Sequence, residues 1–401
     1  MRCVNCKGKG LCGRPVCPVL RRFEEMACLP PLGERIAGDS PPEVFVGRRG
    51  YPTVRSGPLL PVGDGEGPGM AGTQSLAGLD IGEIIALRSR MVRSETEIRV
   101  DDARNPGRLL QTAQQIAMSS LAVGTEVCFA RPPRGNLRFD GVLSPSGPSG
   151  LLKEVDITSN PVIPRRVDQV VDDQGMRAAE ASVELYRDGI SVDHISRLLS
   201  LGLLGSRRKL VPTRWSITAS DDMLGKDLAG RLPDLPLVTD YRLYSGELLG
   251  NHFEILLMPR TYQFELIEMW LPRSAWSEDE TWIGADGEGP RGKKDYSSLA
   301  GGYYAARLPV LEGLMRLGRQ ASVLALREIT EQYWAPLGVW VVREAARRAM
   351  AAAPERFDGL QEALARAGSR IWTPADRWRP HSTTLRAPAQ TTLEDFLKTA
   401  G

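Results

Sequence analysis

Cys3, Cys6, Cys12 and Cys17 open the chain in the pattern C-x2-C-x5-C-x4-C, with Lys7, Gly8, Lys9, Gly10 and Gly13 between them. Thiolates are ligands for borderline metal ions, and short glycine-rich loops let a backbone turn tightly enough for four sulfurs to meet at a tetrahedral centre. In a reducing compartment such a cluster reads as a metal site before it reads as disulfides. A segment this short buries almost no core, so metal ligation would supply its folding energy. Zinc is the expected ion; an iron–sulfur cluster has the same four-thiolate requirement. Cys28 is a spare ligand or a small apolar residue, and Cys128, in Glu126-Val127-Cys128-Phe129, reads as core.

Acid–base chemistry would fall to carboxylates, because His194, His252 and His381 are the only 3 histidines. His194 lies in an apolar helical pattern and reads as core. The chain has no H-E-x-x-H, no Gly-Lys-Ser/Thr phosphate loop and no G-x-S-x-G with a triad partner. On an expected strand over 262–271, Phe264, Leu266, Glu268 and Trp270 share one face by period two. Glu268 is thus a carboxylate among apolar side chains, suited to acid–base work or to pairing with an arginine. Asp221 and Asp222 would complete a divalent-metal site with it, as in nucleases, although Ser220-Asp221-Asp222 also reads as a helix start.

Three clusters could hold phosphate. Gly47-Arg48-Arg49-Gly50-Tyr51, with Arg55, combines flexible glycines, guanidinium forks and an aromatic ring for stacking. Arg207-Arg208-Lys209, with Arg214 and Trp215 close behind, is the densest basic run. Gly301-Gly302 precedes a helical pattern and would present backbone N–H groups to an anion.

The net charge of +2 over 401 residues hides an uneven distribution. Residues 1–60 carry 10 Lys+Arg against 5 Asp+Glu, and residues 61–375 carry 37 against 41. A basic head on a mildly acidic body points to local contact with a polyanion. Only 8 of the 51 basic residues are lysine, a skew that fits a GC-rich genome as well as phosphate recognition. The longest apolar runs, such as Leu337–Val342, fall far short of the roughly 20 residues of a membrane span. Met1-Arg2-Cys3 begins no secretory signal, so a cytoplasmic, nucleoid-associated protein that binds no membrane is expected.

These side chains need a scaffold, and the pattern predicts a mixed α/β (α+β) fold. The expected organisation is a metal-binding head over 1–30, α+β domains over 31–240 and 241–375, and a linker with a tail over 376–401. Pro30 to Gly78 reads as an irregular but packed stretch. Leu109, Leu110, Ala113, Ile116, Ala117 and Leu121 recur at helical spacing behind Pro106, and Glu126–Phe129 looks like a strand. Helices are expected over 167–189, interrupted at Gly175, and over Ser191–Gly205. His252–Met258 and Tyr262–Leu271, separated by Pro259-Arg260-Thr261, have hairpin spacing. Helices Tyr303–Leu317, Val342–Ala352 and Phe357–Ala367 enclose a strand at Ser322–Ile329. Past Trp372 the chain reads as a linker.

The ending, Gln390-x-x-Leu393-x-x-Phe396-Leu397, has the form of a sliding-clamp binding peptide, or PIP motif. Leu393 and Phe396 lie on one side of a single 3₁₀ turn with Leu397 beside them, an apolar plug for a surface pocket, while Gln390 offers amide hydrogen bonds at the rim.

The four-cysteine start, the run Ser40-Pro41-Pro42-Glu43-Val44-Phe45-Val46-Gly47-Arg48-Arg49-Gly50-Tyr51-Pro52 and the clamp-type ending together resemble the archaeal Nre proteins, proposed DNA repair factors. Arg208–Thr218 and Gly301–Arg307 also look like that family, so the resemblance spans nearly the whole chain. It implies an archaeal repair protein with a zinc-finger-like head and the clamp (PCNA) as partner, DNA being the second partner. It supplies no reaction. Three functions stay open: a clamp-tethered protein that binds DNA or a nucleotide, a metal-dependent nuclease or nucleotide- or NAD-processing enzyme, and a non-catalytic adaptor.

Overall fold

The computed structural model describes residues 6–14, 16–62, 73–135, 147–277 and 279–386; Cys3, Gln390, Leu393, Phe396 and Leu397 lie outside them. The chain divides into two compact units, one reaching to Asp227 and including 334–340, the other holding 228–333 and the chain from Val341 onward. The fold is mixed α and β, as the pattern predicts.

In the first unit, helix α1 (Pro18–Ala27) opens with Pro18, whose missing N–H is not needed at a helix start. Strands β1 (Arg35–Ser40), β2 (Val44–Val46) and β3 (Thr53–Pro61) follow. The stretch expected to be irregular therefore holds three strands. Its alternation is masked by residues such as Gly57, where a Cβ would lie 2.3 Å from the Ser94 carbonyl oxygen, so only glycine permits that strand approach. Next come α2 (Ile81–Ser89), β4 (Met91–Arg99), α3 (Arg108–Met118), β5 (Val123–Phe129) and β6 (Ser149–Ile157). The sheet order is β1-β5-β6-β4-β3-β2, with β4 and β6 parallel and the other pairs antiparallel. Leu60, Val92, Val127, Phe129, Leu152 and Val155 form its core.

Helices α4 (Arg165–Asp172), α5 (Ala178–Arg187), α6 (Val192–Ser200) and α7 (Thr213–Arg231) complete this part of the chain. The break at Gly175 falls between α4 and α5, as expected. The start of α7 differs from the expectation at Ser220: the Pro212 carbonyl accepts the N–H groups of Trp215 and Ser216, so the helix begins a full two turns earlier and Asp221 and Asp222 lie inside it.

The second unit holds β7 (Tyr241–Leu248), β8 (Asn251–Met258), β9 (Gln263–Trp270), β10 (Trp282–Glu288), α8 (Gly301–Leu317), β11 (Ser322–Ile329), α9 (Trp340–Ala351, all but its first residue), β12 (Glu355–Phe357) and α10 (Leu360–Ser369). The sheet order is β10-β9-β11-β8-β7-β12. The expected hairpin of β8 with β9 does not form. Strand β11 is inserted between them, antiparallel to β8 and parallel to β9. Every residue of β11 is buried, which a central position with a neighbour on each edge satisfies. The parallel pairing requires a crossover, and α8 supplies it.

One sheet face packs Leu256, Met258, Ile267, Met269, Leu324 and Leu326 against α10 and the fully buried Trp378. Beyond Trp372 the chain is docked, not free, as far as Arg386. Glu328 accepts the N–H groups of Trp372 and Thr373 at 2.9 and 2.8 Å and the Thr373 hydroxyl at 2.7 Å. Glu265 accepts from the Ser382 hydroxyl, from both donors of Thr383 and from the Thr384 N–H. Among the described residues no helix is long and apolar enough to cross a membrane.

Candidate nucleic-acid interface

The first two basic runs, far apart in sequence, meet in the first unit. The Val46 N–H, at the end of β2, donates to Thr213 Oγ1 at 2.8 Å. Ser200 Oγ, at the end of α6, donates to the Val211 carbonyl at 2.8 Å and lies 3.3 Å from Thr213 Oγ1. Val100 also bridges the runs, donating its N–H to the Pro52 carbonyl and accepting from Leu210 N–H, both at 2.9 Å. These clasps bring the Tyr51 ring against Trp215, with centroids 5.5 Å apart and planes tilted by 52°. Gly50 makes the turn that allows this: its φ is +82°, and a Cβ there would meet the Thr53 carbonyl oxygen at 2.8 Å.

The result is an exposed strip. Tyr51 is 51% exposed, Trp215 45% and Phe45 37%. Arg48, Arg49 and Arg214 are exposed beside them. The Arg93 guanidinium lies 4.9 Å from the Phe45 ring centroid and fixes that ring. Guanidinium groups interleaved with open aromatic rings suit a ligand that carries both negative charge and flat π faces.

Other members of the basic runs are committed elsewhere. Arg208 has a positive φ of 44° and turns inward, donating to the carbonyls of Leu203, Val171 and Asp173. Burial pulls its guanidinium below the ordinary arginine range, with Asp172 and Asp173 acting the other way. It clips the chain between α6 and α7 and is not presented to solvent as a fork. Arg55 pairs with Glu95 and Glu97 at 3.2 and 3.1 Å, and Lys209 with Asp101 at 2.7 Å. Exposed pairs of this kind are weak, so both cations can exchange a carboxylate for a phosphate. Sequence reasoning passed over Glu43, inside the same run, whose carboxyl burial pushes up while Arg88 and Arg197 pull it down and Asp193 adds to the rise. An acid within a basic, aromatic stretch was the available signal.

In the second unit, two separately read features satisfy each other. Glu268 is buried and accepts from Arg327 Nη1 and, at 3.2 Å, from Trp270 Nε1, while Arg327 also donates to Asn251 Oδ1. A Cβ on Gly302 would lie 2.8 Å from Glu268 Oε1, so the glycine lets the first turn of α8 close over this ion pair. A carboxylate at a helix N-terminus is favourable with the helix dipole; here the anion facing Gly301-Gly302 is the protein's own. Asp221 is fully buried, and Asp222 pairs with Lys226 at 2.6 Å. Glu265 and Glu328, also buried, escaped the sequence reading because their partners lie up to 119 residues away.

The head follows its glycines: Lys7, Gly8, Gly10 and Gly13 all have positive φ. This loop folds its amides around Cys6. Burial pushes the Cys6 thiol up, but the backbone N–H groups of Leu11, Cys12, Gly10 and Gly8 pull it down further, and the net shift is downward. That donor set fits a thiolate ligand. Cys17 stands just before α1, and among the described residues Cys6, Cys12 and Cys17 form no disulfide. Among the described residues no three His, Cys, Asp or Glu side chains are grouped as metal ligands; Cys3 lies outside them.

The family model for the N-terminal part of archaeal Nre matches residues 11–277, and that for the C-terminal part matches residues 288–396. The chain belongs to the archaeal Nre family. It is 42% identical over 373 residues to the DNA repair protein NreA of Archaeoglobus fulgidus, covering 92% of this chain and 94% of that one. Identity to the DNA repair protein NreB of the same organism is 36% over 399 residues, 99% of this chain and 100% of that one. The DNA repair protein NreA of Haloferax volcanii is 36% identical over 340 residues, 82% of this chain and 80% of its own. No solved structure matches the chain. In this Nre chain the Tyr51–Trp215 strip falls within the N-terminal match, and α8, β11 and α10 within the C-terminal one.

Proposed function

We propose that this Nre chain is a DNA repair protein of the nucleoid that holds nucleic acid on the Tyr51–Trp215 strip, carries a zinc-bound head, and is recruited by the sliding clamp through its last residues. Repair as the process is supported by the names of three relatives, two of which align with more than nine-tenths of their length. The observation that carries the binding reading is the clasp of Val46 on Thr213, which joins two basic runs 167 residues apart into one exposed surface. Arg48, Arg49 and Arg214 would take phosphates, and the open rings would take bases.

For the head, the four amides around Cys6 support a thiolate. Cys3, Cys6, Cys12 and Cys17 would be the ligands, and the ion would supply the folding energy that so small a segment lacks. For the tail, the spacing of Gln390, Leu393, Phe396 and Leu397 supports a plug for the clamp.

The test is DNA affinity as a function of salt. Replacing Arg48 and Arg214 together by alanine should weaken binding and reduce the slope of log affinity against log salt by about 1 per arginine. An unchanged slope would remove the strip from the account. Removal of Gln390–Gly401 should abolish clamp binding without lowering the melting temperature; calorimetry giving the full-length affinity would refute recruitment by the tail.

A further inference from the structure

We infer that the Tyr51–Trp215 strip is a stacking platform for unpaired bases, so that its ligand is single-stranded DNA in preference to duplex. The inference rests on the reading of this strip as the nucleic-acid surface and adds the strand state of the ligand.

Phe45, Tyr51 and Trp215 are among the large apolar side chains left open to water; the Tyr51 and Trp215 rings touch, and Phe45 adjoins Val46, whose N–H donates to Thr213. Leaving aromatic area in water sacrifices the gain from burial, and a cluster of such rings marks a binding surface. The tilt of 52° between Tyr51 and Trp215 means that neither ring covers the other in parallel stacking. Arg93 occupies one side of Phe45 and holds it rigid.

Charge identifies the partner. Arg48 and Arg214 are exposed, and no ion pair engages either among the described residues; Arg49 extends the same edge. Guanidinium groups beside open rings complement a ligand of alternating phosphates and π faces. In a duplex the base faces are stacked on one another and hidden, so a duplex would use the arginines and leave the rings idle. A single strand uses both, and ring stacking is tolerant of sequence because every base has a π face.

The experiment uses the full chain and three probes: a labelled mixed-sequence single strand, its duplex, and the same strand with abasic sugars. Wild type should bind the single strand tighter than the duplex or the abasic strand. Tyr51→Ala and Trp215→Ala should each lower single-strand affinity by about 5- to 100-fold, leaving duplex and abasic affinities unchanged. Trp215→Phe, which keeps a ring, should retain most of the affinity. Unchanged single-strand affinity in the ring variants, or equal losses on strand and duplex, overturns the inference. If the arginine variants still weaken binding in that case, the surface stands and only stacking falls; if neither set matters, or no probe binds, the surface falls with it. Should Trp215→Ala unfold, photocrosslinking of an iodouracil strand to wild type decides: adducts on Phe45, Tyr51 or Trp215 are required, and adducts confined elsewhere overturn it.

Discussion

His194 gives the sharpest stability test of the scaffold behind the strip. It lies on α6, 5% exposed, and its helix ends at Ser200, whose hydroxyl holds Val211 and contacts Thr213. Burial, with help from Arg197, pushes its pKa down from 6.5 to about 3, against the pull of the Met118 and Ala117 carbonyls at the end of α3. The folded state therefore keeps a neutral imidazole where the unfolded chain takes up a proton. Stability from this site is full above about pH 6.5, declines as pH falls, and is gone below about 3, the native value. Integrating the linkage relation for one such group between about pH 7.5 and 5 gives a loss of roughly 2 kcal/mol. The assay is urea unfolding of wild type and His194→Leu at both pH values. Other titrating groups cancel in the comparison, so the variant should lose about 2 kcal/mol less than wild type on acidification. Equal losses would mean that His194 is protonated in the native state and that α6 is not held in the manner described.

Three further outcomes follow from buried groups. Arg327→Met should destabilise by about 3–5 kcal/mol because Glu268 is left buried without its cation, and adding Glu268→Leu should recover most of it; a single-variant cost below about 1 kcal/mol would contradict the pairing. Glu265→Ala should speed hydrogen exchange at Thr383 and Thr384, whose N–H groups it accepts, while leaving β11 protected; unchanged exchange would deny its grip on the chain end. Cys6→Ser should remove bound zinc measured by elemental analysis, and retention of the wild-type metal content would exclude Cys6 as a ligand.

Local structure was legible where one face repeats. The spacing of Leu109, Ala113, Ile116 and Ala117 gives α3, and the break at Gly175 separates α4 from α5. Pairing was not legible. The short connection between Met258 and Gln263 looks like a hairpin, yet a strand more than 50 residues later takes the place between β8 and β9, because its continuous burial demands two neighbours. Pro58, Pro61 and Gly57 hide β3 within what reads as loop. The strip was half legible: each basic run was visible, but not that they meet, since hydrogen bonds such as Val46 to Thr213 leave no pattern in sequence. Composition likewise cannot tell Arg208, folded inward on three carbonyls, from Arg214, which faces water.

Hydrogen exchange with and without single-stranded DNA tests the central claim most directly, because it asks the whole chain where nucleic acid lands. Protection should concentrate on the peptides spanning Val44–Thr53 and Arg207–Ser216, and it should fade as salt rises. Protection that leaves both peptides untouched and falls on the first turn of α8 around Gly301 and Gly302 would contradict the account.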